Sequence, residues 1–401
     1  MFRLVLLSAL LVMSLPVLAM DYYLSGFGTL GVSCFDNEYA DFRKDDIPKG
    51  PGRSNDCTAK LDSKLGVQLD LGLSDELEAA LQVTAIHNAD DNFIPQVTLA
   101  NLRWQASDDL NFRFGRMQNP NFLYSEYRNV SYAQPWARPP GEVYNVLPTF
   151  LHDGVEALYL YQYDDWLLEF HMGIAQSDFK YPVSNSSDKL DVDIQTSYLN
   201  VTARKGAWTF KAGVAPSRSD ASSATVDALL TSLRAAGETV LANDLEIKDS
   251  PYTLYSAGVQ YDDANWLISA EIATRPTEGF VYHPTAAYLS VAKRIGLWTP
   301  YVTLAVLNGT QDDAYNTLAP SDPLYASVEQ LLSSTHDVER KSLSLGVARE
   351  LGEQSTLKVQ VDFIQPDKNS FGDYINHHPG DYDFADPRLD TLFTVNVDFV
   401  F

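Results

Sequence analysis

The chain has 401 residues, of which 45% are hydrophobic and 12% aromatic, and its formal net charge is −24 from 53 acidic and 29 basic residues. This charge argues against binding to a nucleic-acid backbone, which requires basic surface, and the aromatic content excludes a disordered chain. The mean hydropathy of −0.17 is too low for a bundle of membrane helices, so the length fits a few ordinary domains or one large barrel.

Residues 1–19 have the pattern of a secretory signal peptide. Arg3 precedes an apolar run of about 15 residues, and Val17 and Ala19 supply the small side chains that a signal peptidase requires. A transmembrane anchor is the alternative, but the run is short for a bilayer and no basic segment follows it. We therefore expect export, with residues 20–401 as the mature chain.

Cys34 and Cys57 are the only two cysteines. They flank residues 35–56, a polar stretch rich in Asp, Gly and Pro that is typical of a loop between two strands. Because an exported chain folds in an oxidising compartment, we expect a disulfide at the base of this loop; two free thiols are the alternative. The bridge would stabilise the loop by roughly 3 kcal/mol.

Apolar and polar residues alternate along much of the chain, which is the pattern of strands that face oil on one side and water on the other. In the last segment, the side chains of Phe393, Val395 and Phe399 lie on one face, and those of Asn396 and Asp398 on the other. Four further segments show the same pattern: residues 60–73, 166–174, 266–272 and 357–363.

Short and long connections also alternate. Tight-turn sequences of Asp, Gly and Ser occur at seven places: 74–75, 107–108, 164–165, 205–206, 262–263, 295–296 and 352–353. Long polar stretches lie between them, at about 36–56, 88–95, 119–152, 177–192, 218–250, 276–284, 310–337 and 366–389. These connections separate about sixteen strands of about ten residues, which predicts an all-β, antiparallel transmembrane barrel.

The tryptophans support this prediction independently. Five of the six lie within a few residues of a short turn: Trp104, Trp166, Trp208, Trp266 and Trp298. Amphipathic rings are favoured at the boundary between lipid and headgroups, so the five predict an aromatic girdle at the short-turn rim. The tryptophans of a soluble sandwich would not follow the turns, and a soluble barrel of this size has a lumen too wide to fill.

The chain resembles the porins of Gram-negative bacteria in its secretion signal, its sixteen strands and a last strand that ends in Phe401. Residues 111–127 and 135–144 resemble the third-loop region of a porin-like group from gammaproteobacteria, although the Pro-Glu-Phe-Gly-Gly type of motif found in enterobacterial general porins is absent. The resemblance implies a homotrimeric, water-filled channel in the outer membrane, reached by Sec export and surrounded by lipid and lipopolysaccharide. Its third loop would fold into the lumen, with short turns in the periplasm and long loops outside the cell.

Residues 119–152, the longest connection, have the composition of such a constriction loop. They are rich in aromatic residues, including Trp136, and contain four prolines from Pro135 to Pro148. Because exposed aromatic patches are rare on proteins, we expect this loop to pack against the barrel interior. A contact between subunits is the alternative.

Charged residues of both signs are candidates for lining the pore, where they would sort solutes by charge. Alternation predicts that Lys64, Arg103 and Arg113 face the lumen, whereas Arg116 would do so only if a bulge reversed its parity relative to Phe114. The constriction loop contributes four more candidates: Glu126, Arg128, Arg138 and Glu142. The net charge favours cations, whereas the arginines near the loop favour an anionic solute.

Passive diffusion of ions and small hydrophilic solutes is the leading functional hypothesis. A substrate-specific channel with a binding site in the constriction is the alternative, suggested by aromatic residues close to Arg128 and Arg138: Tyr124, Tyr127, Tyr132 and Trp136. An outer-membrane hydrolase is not expected, because none of the seven histidines lies near a nucleophile signature. No metal-ligand spacing and no cofactor motif are present.

Some of the long loops have further features. Apolar residues recur at helical spacing within residues 226–241 and 324–332, which predicts helices that pack on the barrel rim or bind a partner. Acidic residues are concentrated in two loops: Asp312, Asp313, Asp322 and Glu329 in one, and Asp373, Asp381, Asp383 and Asp386 in the other. They are candidates for divalent cations or lipopolysaccharide counter-ions, with solvated loop charge as the alternative.

Overall fold

A computed structural model describes residues 21–183, 188–277, 281–310, 315–333, 338–377, 383 and 385–401. The predicted signal peptide, residues 1–19, and the loop acids Asp312, Asp313 and Asp381 lie outside these ranges. Within them, sixteen long strands form one sheet. They are β1 (Asp21–Phe35), β2 (Lys64–Ser74), β3 (Leu77–Ile86), β4 (Gln96–Gln105), β5 (Leu110–Gln118), β6 (Leu151–Tyr163), β7 (Trp166–Pro182), β8 (Lys189–Lys205), β9 (Trp208–Ser222), β10 (Ile247–Asp262), β11 (Trp266–Thr274), β12 (His283–Lys293), β13 (Trp298–Thr310), β14 (Arg340–Gly352), β15 (Ser355–Pro366) and β16 (Asp390–Val400).

The sheet closes into a barrel. Each strand pairs antiparallel with the next, and β1 also pairs with β16, in a register that runs from Phe27 opposite Val400 to Phe35 opposite Leu392. Closure leaves no unpaired strand edge, which a structure exposed to lipid requires. The predicted antiparallel barrel of about sixteen strands is therefore confirmed.

The connections are short at one end of the barrel and long at the other, which we call the short-turn end and the long-loop end. The seven turns lie where the sequence predicts them. The long loops are loop 1 (36–63), loop 2 (87–95), loop 3 (119–150), loop 4 (183–188), loop 5 (223–246), loop 6 (275–282), loop 7 (311–339) and loop 8 (367–389).

Some strands are longer than the predicted length of about ten residues. Strands β7 and β8 have 17 residues each and include most of the predicted loop 177–192. Outward residues of β7 are apolar up to Ile174 and polar from Gln176 to Lys180, so the strand continues above the apolar band. Residues 177–192 were predicted as a loop because they are polar, and the sequence alone does not show where a strand rises above the apolar band.

The two faces of the wall differ as the alternation predicts. On β16, the inward side chains of Thr394, Asn396 and Asp398 are fully buried, whereas the outward ring of Phe393 is 43% exposed. The girdle tryptophans Trp104, Trp208, Trp266 and Trp298 are also exposed on the outer surface near the short turns. The wall is therefore apolar outside and polar inside, the reverse of a soluble barrel.

Loops 5 and 7 contain the helices predicted there. They are Ala224–Ala235, Thr239–Asp244 and Tyr325–Ser333. The first begins after Ser223, whose hydroxyl accepts a hydrogen bond from the Val226 amide and caps the helix. The helices share a small apolar core that includes Leu233 and Val328, so the two loops pack on each other. No helix among the described residues is long and apolar enough to cross a membrane.

Candidate functional site

Loop 3 folds into the barrel and covers part of its inner wall. Two 3-10 helices, Ser125–Tyr127 and Ser131–Ala133, and one short α-helix, Gly141–Tyr144, lie within it. The predicted inward-folded loop is confirmed. Its apolar side chains pack against inward residues of β10 to β13: Phe122, Tyr124, Trp136 and Tyr144 are at most 2% exposed.

Polar contacts fix the aromatic residues of loop 3 in place. The Trp136 indole donates hydrogen bonds to the hydroxyls of Ser290 (2.8 Å) and Thr303 (3.0 Å). The Tyr144 hydroxyl donates to Glu271 at 2.9 Å, whose other carboxylate oxygen accepts from the Leu123 amide at 2.8 Å. Because buried polar groups need partners, these contacts determine the position of the loop as well as its stability.

Arg138 and Glu142 do not line the pore, and this prediction from the sequence is wrong. The Arg138 guanidinium is 7% exposed and contacts Asp62 at 2.6 Å and Asp362 at 3.1 Å. Burial would raise the pKa of Asp62, but Arg138, with Lys44 and Lys64, outweighs this effect and holds that pKa well below its usual value. Glu142 is 5% exposed and accepts from Arg340 at 2.8 Å. Both residues fasten loop 3 to the wall.

Lys64 also lacks open access to the lumen. Its side chain points inward from the long-loop end of β2, as predicted, but the residue is only 8% exposed. Lys44 and Asp62 of loop 1 are among its charged neighbours, together with Asp398. Loop 1 therefore covers this lysine, and no alternation pattern reveals such a cover.

Arg113 is the centre of a charged cluster where loop 3 meets the opposite wall. Its guanidinium contacts Glu126 of loop 3 at 3.0 Å and Glu156 of β6. Glu156 also lies 2.8 Å from the His171 ring. Burial would raise the pKa of Glu126, but the positive charges of Arg113, His171 and Lys211 together keep that pKa below its usual value. The structure thus brings Arg113 and Glu126 together, and adds Glu156 and His171, which the sequence analysis did not select.

Arg103 lies on the same inner face, opposite Arg113 in the register of β4 and β5. Its guanidinium contacts Glu78 at 3.0 Å, and both side chains are about half exposed. Arg204 and Glu169 form a similar pair at 2.9 Å. These pairs place solvated charges of both signs along the lumen.

Arg116 lies on the outer face of the barrel, contrary to the prediction. Strand β5 keeps an unbroken register with β4 and β6, so no bulge reverses its parity, and Arg116 stays on the side of Phe114. The residue between Phe114 and Arg116 has to be glycine, because Gly115 has a φ of +121° and a Cβ there would lie 2.3 Å from the Ala100 carbonyl oxygen. The Arg116 guanidinium pairs with Asp153, which is 50% exposed, at 2.7 Å.

Arg128 joins loop 3 to loop 1. Its guanidinium contacts Asp45 at 2.6 Å and lies over the Phe150 ring, 3.2 Å from its centre. A cavity of about 430 Å³ adjoins this contact at the long-loop end. A smaller one of about 140 Å³, lined in part by Tyr132 and Glu350, lies toward the short turns.

The aromatic binding site considered in the alternative hypothesis does not form as predicted. Tyr124 and Trp136 are buried against the wall, and the Tyr132 hydroxyl donates to the Glu353 carbonyl oxygen in a short turn at 2.7 Å. Tyr127, 37% exposed, is the most accessible of these rings after packing. Among the described residues, no group of three or more His, Cys, Asp or Glu side chains is arranged to hold a metal ion.

No protein-family model matches the sequence, and no curated protein sequence matches it. Solved structures do match at the level of fold. An anion-selective porin from Comamonas acidovorans is 12% identical with a TM-score of 0.54, covering 95% of this chain and 100% of that one. OmpF from Salmonella typhi, in complex with daunomycin, is 12% identical with a TM-score of 0.55, covering 95% and 97%. The outer-membrane channel DcaP of Acinetobacter baumannii is 11% identical with a TM-score of 0.56, covering 95% and 97%.

These matches and the closed barrel define the fold. The chain is a sixteen-stranded antiparallel barrel of the porin type, and the resemblance recognised in the sequence is confirmed at that level.

Proposed function

We propose that the protein is an outer-membrane channel that lets ions and small hydrophilic solutes diffuse passively. The observation that carries this proposal is the division of the wall, with exposed apolar rings outside and solvated pairs such as Arg103 with Glu78 inside. A barrel of sixteen strands is wide enough for an aqueous passage, which loop 3 narrows. The fold shared with porins and an outer-membrane channel supports the same proposal.

The charged cluster where loop 3 meets the wall of the proposed channel consists of Arg113, Glu126, Glu156 and His171. Glu126 of the loop and Arg113 of the wall are the accessible members of the cluster, so a solute that passes meets charges of both signs. Fixed charges of this kind select solutes by charge at close quarters. No cofactor and no catalytic chemistry are part of the proposal, and hydrolase activity of the purified protein would contradict it.

The proposal includes a Gram-negative outer membrane as the location, Sec export directed by residues 1–19, and a homotrimer, all of which the resemblance to porins implies. Lipopolysaccharide and lipid are the expected neighbours of the outer face. Migration of unboiled protein on a denaturing gel tests the trimer, because a folded trimer runs well above a single chain, whose mass is 44.6 kDa before the signal peptide is removed. Migration as a monomer would contradict it.

Planar bilayer recording tests the channel directly. Purified protein should insert in discrete current steps whose conductance rises in proportion to the conductivity of the salt solution. Liposomes that contain the protein should swell in small sugars and not in large ones. Bilayers that stay silent, with protein that is folded by its heat-modifiable migration, would contradict the proposal.

A further inference from the structure

Loop 1 folds into the mouth of the barrel. Asp41 and Phe42 pair with Tyr374 and Ile375 of loop 8 in a small two-stranded sheet. This sheet covers an apolar part of the inner wall that includes Leu392, and Asp41 is fully buried. The base of the loop is closed by a disulfide between Cys34 and Cys57. Loop 1 is therefore a second inward-folded loop, stacked above loop 3.

The two inward loops form part of the lining of the cavity of about 430 Å³, and loop 2 and the barrel wall form the rest. Loop 1 contributes Asp45 and Asp46, loop 3 contributes Arg128, and apolar side chains such as Ile86 and Leu147 form other parts of the lining. This combination of carboxylates and apolar surface differs from the solvated ion pairs farther down the lumen. A ligand that fits it carries one charge on a small apolar body.

The ion pairs around the cavity leave a shortage of positive charge. Four carboxylates share three guanidiniums through contacts within 4 Å. The carboxylates are Asp45, Asp46, Asp373 and Glu142, and the guanidiniums are Arg43, Arg128 and Arg340. Of these, Asp45, Asp46, Arg43 and Arg128 line the cavity, and the other three connect to them outside its lining. Asp46 has the longest ion pair of the four carboxylates. Its contact with the Arg43 guanidinium is 3.8 Å long, and the same guanidinium lies closer to Asp373, at 3.5 Å.

The other charged groups that line the cavity do not supply the missing cation. Lys180 lies 3.6 Å from Asp191, Asp90 pairs with Lys189, and Asp178 adds a further carboxylate to the lining. Lys44 contacts Asp62 at 3.4 Å, and the charges of Lys44 and Lys64 act on Asp45 rather than on Asp46. The Asp46 side chain is 27% exposed, so a solute in the cavity can reach it.

The electrostatic surroundings of Asp46 agree with a cationic ligand. Burial, together with the negative charges of Asp45 and Asp373, raises the pKa of Asp46 to about 7, since Arg43 and Arg128 only partly compensate. The carboxylate of Asp46 therefore faces the cavity while sharing the Arg43 guanidinium with Asp373.

We propose that this cavity binds small organic cations, amines with an apolar body, through the carboxylate of Asp46. The inference rests on the proposed channel function and identifies the class of solute that binds at the long-loop end of the channel. The bound ammonium supplies the charge that the four carboxylates lack, while the apolar body contacts Ile86 and Leu147. Binding strengthens as pH rises through 7, because only the ionised Asp46 attracts the ligand.

Benzylamine is a suitable probe, with benzyl alcohol as its neutral counterpart. We expect a saturable block of the bilayer current by benzylamine, and about a five- to tenfold weaker block in Asp46→Asn at about pH 8. The wild-type block should weaken toward about pH 5.5, where the amine stays charged but Asp46 does not. Glu38→Gln, an exposed charge change in the same loop, should leave the block unchanged.

Three outcomes would overturn the inference: equal block in wild type and Asp46→Asn, equal block by benzyl alcohol, or block without pH dependence. Heat-modifiable migration checks that the variants are folded. Calorimetric titration of benzylamine into the detergent-solubilised protein measures binding without conduction. A protein that binds the amine through Asp46 but conducts no current contradicts the channel and keeps the binding site, whereas a conducting protein that binds no amine contradicts only the site.

Discussion

The ammonium of Lys358 lies 2.8 Å from the carboxylate of Asp398, and both side chains are completely buried. The same ammonium donates to the carbonyl oxygens of Ser131 (2.5 Å) and Trp136 (2.9 Å) of loop 3. One lysine of the wall thus holds a neighbouring strand and the constriction loop together. Loop 3 is therefore part of the folded barrel, which agrees with a permanent narrowing of the lumen.

Asp398→Asn should strongly destabilise the barrel, because it leaves the Lys358 charge buried without its counter-ion. Breaking one partner of a buried ion pair costs about 3–5 kcal/mol. The measurement is the temperature at which unboiled protein loses its folded gel migration. Asp322→Asn, on loop 7, is the matched control and should have no effect. The double variant Lys358→Met with Asp398→Leu should recover only part of the loss, because it removes the unpaired charge but leaves the Ser131 and Trp136 carbonyl oxygens without their donor. No recovery at all would show that the unpaired charge is not the cause of the loss.

Trp136→Phe should loosen loop 3 without unfolding the barrel. It removes the two hydrogen bonds to Ser290 and Thr303, which remain bonded to each other at 2.8 Å, so the cost is about 1 kcal/mol. The expected result is greater noise in the open-channel current. Trp266→Phe, on the outer girdle, should leave the current unchanged; equal noise in both variants would contradict the anchoring role.

The disulfide should matter for loop 1 more than for the barrel. Replacing Cys34 and Cys57 together by serine removes a closure across 23 residues, worth about 3 kcal/mol in the chain-entropy account. Proteases should then cut loop 1 faster, while the current steps persist. Unchanged cleavage would mean that buried contacts such as those of Asp41 hold the loop without help.

Asp46 should make stability depend on pH. The pKa of Asp46 in the folded protein is about 7, above the ordinary value of 3.8. The free energy of unfolding therefore decreases as pH rises from 3.8 through 7, because the unfolded chain ionises this group more readily. Asp46→Asn should therefore stabilise the protein at about pH 8, by on the order of 1 kcal/mol, and have no effect below about pH 4. Thermal loss of the folded gel form at the two pH values measures this difference; stabilisation at acidic pH alone would contradict the sign.

The barrel was largely predictable from the sequence because the signals that determine it, alternation and turn residues, lie close together along the chain. The alternation that ends at Phe401 shows which face of β16 meets lipid, and the turn residues mark the strand ends. The aromatic content of residues 119–152 also sufficed to predict that the loop packs inside. The upper ends of β7 and β8 were missed because their outer faces are polar above the apolar band.

The charged site was only partly predictable because many of its side chains contact residues that are distant in the sequence. Arg113 follows from parity alone, and Glu126 lies in the loop opposite it. Arg138 and Glu142 were wrong because their partners come from distant segments, as with Arg340, which is 198 residues from Glu142. The inward fold of loop 1 had no composition signal like that of loop 3.

The most direct test of the account compares two arginines on one strand. Under a salt gradient, Arg113→Gln should shift the reversal potential toward cation selectivity, because Glu126 and Glu156 then lack a counter-charge in the lumen, whereas Arg113→Lys should preserve it. Arg116→Gln removes the same charge from the outer face and should not move the potential. A shift with Arg116→Gln, or none with Arg113→Gln, would contradict a solute path past the Arg113 cluster.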